Sequence, residues 1–74
     1  MLNACILIKV VPVKAEAIHK VVSGILEVKK TYFVYGRFDI VAFLEALDYK
    51  NVREVSGRIN SIDGVRSTET LVEA

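Results

Sequence analysis

The sequence is poor in the residues that reinforce small domains. Its 74 residues include one cysteine and one histidine, so an internal disulfide is impossible and a zinc cluster lacks ligands. A hydrophobic core alone supplies little stability below about 80 residues, which leaves association with another subunit as the remaining support. The hydrophobic content of 53% agrees, because so short a chain has little interior in which to bury it. We therefore expect one domain, residues 1–74, that forms an oligomer.

An excess of charge of one sign is also missing. Ten lysines and arginines and nine aspartates and glutamates are interspersed along the chain, for a net charge of +1. Without a basic stripe, direct binding of nucleic acid is not expected. No apolar run approaches the roughly 20 residues that span a bilayer, and nothing resembles a signal peptide. A lone cysteine suits a reducing compartment, so we expect a cytoplasmic protein without a membrane partner.

Hydrophobic periodicity predicts six elements. Alternating, β-branched segments predict strands over residues 2–11, 28–35, 38–46 and 65–72. Apolar residues three and four apart predict helices over residues 14–23 and from the N-cap Asp48 to a turn at Asp63 and Gly64. The order βαββαβ is that of the ferredoxin-like α+β fold, with both helices on one face of a four-stranded antiparallel sheet. Gly57, inside the second helix, is expected to pack closely on the sheet.

The second face of this sheet predicts a dimer interface. A sheet face rich in apolar side chains is not stable in water, and packing two copies sheet to sheet covers it. This is the arrangement of dimeric α+β barrels. Side-chain alternation gives the expected interface residues as Cys5, Leu7, Val41, Phe43 and Val72.

No set of catalytic residues is recognisable. Cys5 lies within an apolar strand and His19 lies on the flank of a helix stripe, so packing explains both. The four glycines are too scattered for a phosphate-binding loop, and no pair of cysteines suits a metal. We expect no enzyme, no cofactor and no metal. A small enzyme of the dimeric α+β-barrel kind remains an alternative, which would need His19 or Tyr32 in a deep pocket within one subunit.

Two groups of residues suggest ligand binding. In the hairpin Tyr35-Gly36-Arg37-Phe38-Asp39, Gly36 can adopt a positive φ and expose backbone N–H groups that hold a carboxylate, while Asp39 can accept a hydrogen bond from an ammonium group. The alternative is an ordinary hairpin turn whose aspartate side chain bonds its own backbone.

The second group is the pair Thr68 and Thr70, which share one face of the last strand. We place that face with Asp39, so that two hydroxyls can orient a small polar ligand. The alternative is that the two threonines have no ligand and occur there only because β-branched residues favour strands.

Taken in this order, the segments resemble the effector-binding domain of the Lrp/AsnC transcription regulators over essentially the whole chain. The resemblance rests on the Gly-x-x-Asp hairpin at Gly36 and Asp39, and on a Gly-Val turn followed by Thr68-Glu69-Thr70. It implies a dimer, often assembled further into a ring of four dimers, with effector amino acids bound between dimers close to the hairpin. The residues that it assigns to the ligand are Gly36, Asp39, Thr68 and Thr70, with the amide of Arg37 in the turn and Tyr35 as a wall.

One departure from the family pattern concerns DNA. Complete members carry an N-terminal helix-turn-helix, whereas Met1 here opens directly into the first strand of the effector domain. We therefore expect a free-standing form of the domain that senses an amino acid alone or co-assembles with full-length regulators. A purely structural oligomerisation unit is the remaining alternative.

Overall fold

The fold is described by a computed structural model that covers all 74 residues. The predicted order of elements is confirmed, with a short 3-10 turn before the first helix. The strands follow the sheet order β2-β3-β1-β4, and every neighbouring pair is antiparallel. The predicted ferredoxin-like α+β fold is therefore confirmed. Its elements are β1 (Leu2–Val10), the 3-10 turn (Pro12–Lys14), α1 (Ala15–Ser23), β2 (Val28–Phe33), β3 (Ile40–Ala46), α2 (Tyr49–Asn60) and β4 (Val65–Val72).

The hydrophobic core lies between one face of the sheet and the two helices. The alternation of β1 and β3 directs their isoleucines to this side, and the 3.6-residue period of the helices directs their valines and isoleucines to meet them. Burying a side chain of this size contributes about 1.5–3 kcal/mol. None of the helices is both long and apolar enough to cross a membrane. The largest fully buried side chains are Ile6, Ile8, Ile18, Ile40, Ile59, Val22 and Val55.

The opposite face of the sheet carries no helix, and we call it the open face. Two rows of paired residues cross it: Tyr32, Val41, Leu7 and Glu69 in one row, and Lys30, Phe43, Cys5 and Leu71 in the other. The Tyr32 and Phe43 rings meet edge to face, with centroids 6.1 Å apart. Phe43 is 43% exposed and Leu71 is 50% exposed. The open face is thus apolar at its centre and charged at its border.

A register shift in β4 changes which residues face the helices. Lys9 pairs with Ser67 but Val10 pairs with Val65, so Arg66 is an extra residue of a β-bulge. Because a one-residue shift reverses the faces, Val65 and Val72 both lie against the core. The prediction that Val72 lies on the second face with Cys5 is wrong, since Val72 pairs with Ala4, which faces the core.

The N-terminus of α2 is held by a chain of side-chain hydrogen bonds. Asp48 is the predicted N-cap: its carboxylate accepts from the Asn51 N–H at 2.8 Å. The Asn51 side chain accepts from the Leu47 N–H at 3.0 Å and donates through Nδ2 to Glu27 Oε2 at 2.9 Å. Asn51 therefore joins the start of α2 to the loop that precedes β2.

Glu27 is the charged member of this group. The Asn51 hydrogen bond and the backbone N–H of Glu27 itself lower the pKa of the Glu27 carboxyl, outweighing the burial that raises it. The positive charges of Arg58 and Lys29 act in the same direction, and Arg58 Nη1 lies 3.8 Å from Glu27 Oε1. With 18% of its side chain exposed, Glu27 is held in its charged form.

Two glycines are expected to respond in opposite ways to alanine. Gly64 has φ +98°, and a Cβ there would lie 2.7 Å from Lys14 Cδ and 3.0 Å from Ile18 Cδ1. Gly64→Ala should therefore lower the free energy of unfolding by about 1–3 kcal/mol. Around Gly57 nothing lies within 4 Å of an added Cβ, so the expected close packing of Gly57 on the sheet is wrong. Gly57→Ala should raise the free energy of unfolding by up to about 1 kcal/mol.

Urea unfolding of the two variants beside the original chain measures both changes. The interpretation of Gly64 is contradicted if Gly64→Ala is as stable as the original chain.

Acid should weaken the fold through Glu27. Because the pKa of Glu27 is lowered on folding, its contribution is fully present above the ordinary pKa of 4.5 and is lost as the pH falls through the folded-state pKa. Glu27→Gln keeps an oxygen that can accept from Asn51 but has no carboxyl proton to gain. Unfolding free energies measured from pH 7 to pH 3 should fall less steeply below pH 4.5 in Glu27→Gln than in the original chain; parallel curves would exclude this role.

Candidate functional site

The connection between β2 and β3 is longer than the predicted break at Gly36 and Arg37. It spans residues 34–39 and is closed by a hydrogen bond from the Val34 N–H to the Asp39 carbonyl oxygen at 2.9 Å. Gly36 has φ +116°, which side-chain-bearing residues rarely adopt, and this explains the glycine. The N–H groups of residues 35–38 make no hydrogen bond within the chain. The loop therefore presents unused donors, as its sequence suggested.

Asp39 is fixed at the end of β1 rather than left free in the turn. Its Oδ2 accepts from the Val10 N–H at 3.0 Å, and its own N–H donates to the Ile8 carbonyl oxygen at 2.9 Å. The bond to Val10 occupies one carboxylate oxygen, so Asp39 bonds the backbone of a neighbouring strand and not that of its own turn. Oδ1 has no partner within the chain. Asp39 thus stabilises the sheet through Oδ2, and its Oδ1 is free to accept a hydrogen bond from a ligand.

A pocket of about 370 Å³ lies beside Asp39, between the connection and the start of α1. This is at the small end of the range for ligand sites. Asp39 is its one charged residue, and Tyr35 stands fully exposed at its rim. Gly36 and Arg37 are exposed at the tip of the connection and do not line the pocket. The pocket is lined by Val10, Pro12, Ala15, Phe33, Val34, Tyr35 and Asp39.

Five of these lining residues, among them Val34 at the start of the connection, were not expected. Val10 and Pro12 reach the pocket because β1 lies beside β3, which brings the end of β1 to the start of β3. Phe33 precedes the connection, and its ring stacks on His19 of α1 with centroids 4.5 Å apart and an angle of 15° between planes. Ala15 begins α1. The sequence carried a signal for Phe33, an aromatic residue next to the predicted hairpin, but none for its contact with His19.

Thr68 and Thr70 do not join Asp39. They pair with Ile8 and Ile6, which face the helices, so the predicted placement on the second face of the sheet is wrong. Thr68 Oγ1 donates to Asn60 Oδ1 at 3.1 Å, and Thr70 Oγ1 lies 3.2 Å from the Ser56 hydroxyl. Neither threonine lines the pocket. Both hydroxyls bond side chains of α2 and hold that helix to β4.

Comparison with known proteins places the chain in one protein family. The sequence pattern of the Lrp/AsnC ligand binding domain matches residues 3–73. No curated protein sequence matches the chain significantly. Among solved structures, the protein TTHA0845 from Thermus thermophilus superposes with a TM-score of 0.96 and 29% identity, over 100% of this chain and 94% of its own.

Longer regulators share the fold at lower identity. Escherichia coli AsnC superposes with a TM-score of 0.88 and 22% identity, over 97% of this chain and 50% of AsnC. A feast or famine regulatory protein from M. tuberculosis, solved with L-methionine, gives a TM-score of 0.83 and 22% identity, over 99% of this chain and 50% of its own. This chain therefore spans about half the length of these two proteins.

Proposed function

Because this chain belongs to the Lrp/AsnC ligand binding domain family, we propose that it is an amino-acid-binding regulatory module that self-associates through its open face. The observation that carries the proposal is the pocket beside Asp39, which adjoins a loop of unused N–H donors. A free α-amino acid needs a negative partner for its ammonium group and donors for its carboxylate. This region offers the negative partner in the pocket and the donors in the loop that adjoins it.

Each group has a proposed role. Asp39 Oδ1 accepts from the ammonium group, while Oδ2 stays bonded to Val10. The N–H groups around Gly36 and Arg37, which make no hydrogen bond within the chain, hold the carboxylate. Tyr35 closes the rim of the pocket. Thr68 and Thr70 have no part in this scheme, because their hydroxyls bond α2.

The open face supports self-association. Phe43 and Leu71 are about half exposed on it, beside the more deeply buried Cys5, Leu7 and Val41. Two copies packed sheet to sheet would remove these side chains from water, and each 100 Å² of apolar surface so buried contributes about 2.5 kcal/mol. Further assembly into a ring of four dimers, and co-assembly with full-length Lrp/AsnC regulators through like surfaces, are part of the proposal.

A catalytic role gains no support from the two residues that it would need. His19 is stacked on Phe33, and Tyr32 lies on the open face against Phe43. Neither side chain lines an enclosed pocket beside a second polar group that could exchange a proton with it. The family match favours a regulatory role over an enzymatic one.

Removing the charge of Asp39 should weaken amino-acid binding without unfolding the protein. Asp39→Asn keeps an oxygen for the Val10 N–H, whereas Asp39→Ala would also break that structural bond. A hydrogen bond to a charged group contributes about 1.5–3 kcal/mol, so the dissociation constant should rise about tenfold to a hundredfold.

The measurement begins with thermal shifts against the twenty amino acids, followed by calorimetric titration of the binders with both proteins. If no amino acid shifts the melting temperature of the well-folded original chain, the module is a structural oligomerisation unit or binds another ligand. Equal affinities for the original chain and Asp39→Asn would remove Asp39 from the site.

A charge on the open face should disrupt self-association. Leu71→Lys places an ammonium group where the partner sheet would pack, and Val21→Lys is a matched control, because Val21 is 53% exposed on α1, away from the open face. We expect Leu71→Lys to sediment at lower mass and to melt at a temperature that depends less on protein concentration. Val21→Lys should sediment like the original chain. A monomeric original chain, or unchanged mass in Leu71→Lys, would refute this interface.

A further inference from the structure

The pocket beside Asp39 has an apolar wall that the proposed scheme leaves without a role. Phe33 ends β2 and pairs with Ile40, which places its ring on the helix side of the sheet. The ring is 55% exposed, and it is the largest of the lining side chains within the sheet. The proposed contacts to Asp39 and the turn amides use only the ends of an amino acid that all amino acids share. The wall is therefore the part of the pocket that can distinguish one side chain from another.

His19 covers one face of the Phe33 ring. The two rings are nearly parallel, 15° apart with centroids at 4.5 Å, as in offset stacking. The last turn of α1 is tied to β2 two residues before Phe33: Ser23 Oγ donates to the His19 carbonyl oxygen at 2.7 Å and lies 3.0 Å from Thr31 Oγ1. The contact with Thr31 joins the end of α1 to the edge strand close to the stack. Because His19 covers one face of the Phe33 ring, the other face is the one that can contact a ligand in the pocket.

The wall around Phe33 offers no partner to a polar side chain. Besides Asp39, which is already assigned to the ammonium group, the lining carries one polar side-chain group, the hydroxyl of the exposed Tyr35 at the rim. An amide or hydroxyl packed on the Phe33 ring itself would lose hydrogen bonds to water and gain none there. An apolar group of the same shape would gain contact with Phe33 at no such cost.

We propose that Phe33, held in place by His19, selects the ligand, so that the pocket prefers amino acids with apolar side chains over polar ones of the same shape. His19 is a positioning residue here, since it acts through the Phe33 ring and does not itself line the pocket. The inference rests on the proposed function and adds to it the class of side chain and the residues that choose it.

The test compares ligands that are similar in size and differ in polarity. Leucine is paired with asparagine, and methionine with glutamine, and calorimetric titration gives the dissociation constant of each with the original chain. We expect the apolar member of each pair to bind at least about tenfold more tightly, the scale on which a pocket discriminates small differences in a side chain. Three variants follow: His19→Ala, His19→Phe and Phe33→Ala.

The ratio of the two dissociation constants within each pair is the decisive quantity. His19→Ala should reduce it about threefold to tenfold by releasing the ring, and Phe33→Ala should reduce it further. His19→Phe keeps a flat ring against Phe33 and should preserve the ratio. A general loss of stability would weaken both members of a pair alike, and melting curves of each variant show how large that loss is.

The contrary outcomes separate this inference from the proposed function. If amino acids bind but leucine and asparagine bind equally, the site is real and selection by Phe33 is wrong. If His19→Ala weakens both members of each pair equally, His19 is structural only and its positioning role is refuted. If no amino acid binds the folded original chain, the proposed function fails and the inference fails with it.

Discussion

The central strand β1 is the element on which the rest of the molecule depends. It is hydrogen-bonded to β3 along one edge and to β4 along the other, and it carries the fully buried Ile6 and Ile8 on its helix side. A strand bonded on both edges cannot shift its register without breaking both ladders. Both surfaces assigned to function are built on it. Cys5 and Leu7 lie at the centre of the open face, and the Val10 N–H fixes Asp39 at the pocket.

The sequence predicted the sheet well because burial imposes a period on the chain. In β1 and β3, alternate residues must face the helices, and the fully buried isoleucines at positions 6, 8 and 40 follow this alternation. Strand β4 is an edge strand with few large apolar residues, so its alternation of apolar and polar residues is less pronounced. There the bulge at Arg66 reversed the faces, and no residue type in Val65–Val72 indicates an extra residue. The misplacement of Val72 and of both threonines follows from this one shift.

The candidate site was predictable only where it is local in sequence. Gly36 and Asp39 could be found because a glycine with positive φ and a short acidic side chain have recognisable uses in a turn. Val10 and Pro12 could be added only once the order β2-β3-β1-β4 was known, since it brings the end of β1 to the start of β3. The stack of His19 on Phe33 depends on how α1 lies across the sheet, which periodicity does not specify.

The two surfaces lie on opposite sides of one thin sheet, and this arrangement constrains any coupling between them. The pocket involves the ends of β1 and β2 and the first turn of α1, whereas the open face uses alternate residues of the same strands. A ligand can change self-association only if it binds the associated form differently from the separated form. Asp39 is the residue best placed to carry such a difference. It contacts the ligand in our scheme, and its hydrogen bond to Val10 belongs to the strand whose Cys5 and Leu7 lie on the open face. The end of β1 is held as well by the pairing of Val10 with Val65 and by the Val11 N–H, which donates to the Gly64 carbonyl oxygen. An effect of the ligand on the open face must therefore act through Asp39 together with these contacts.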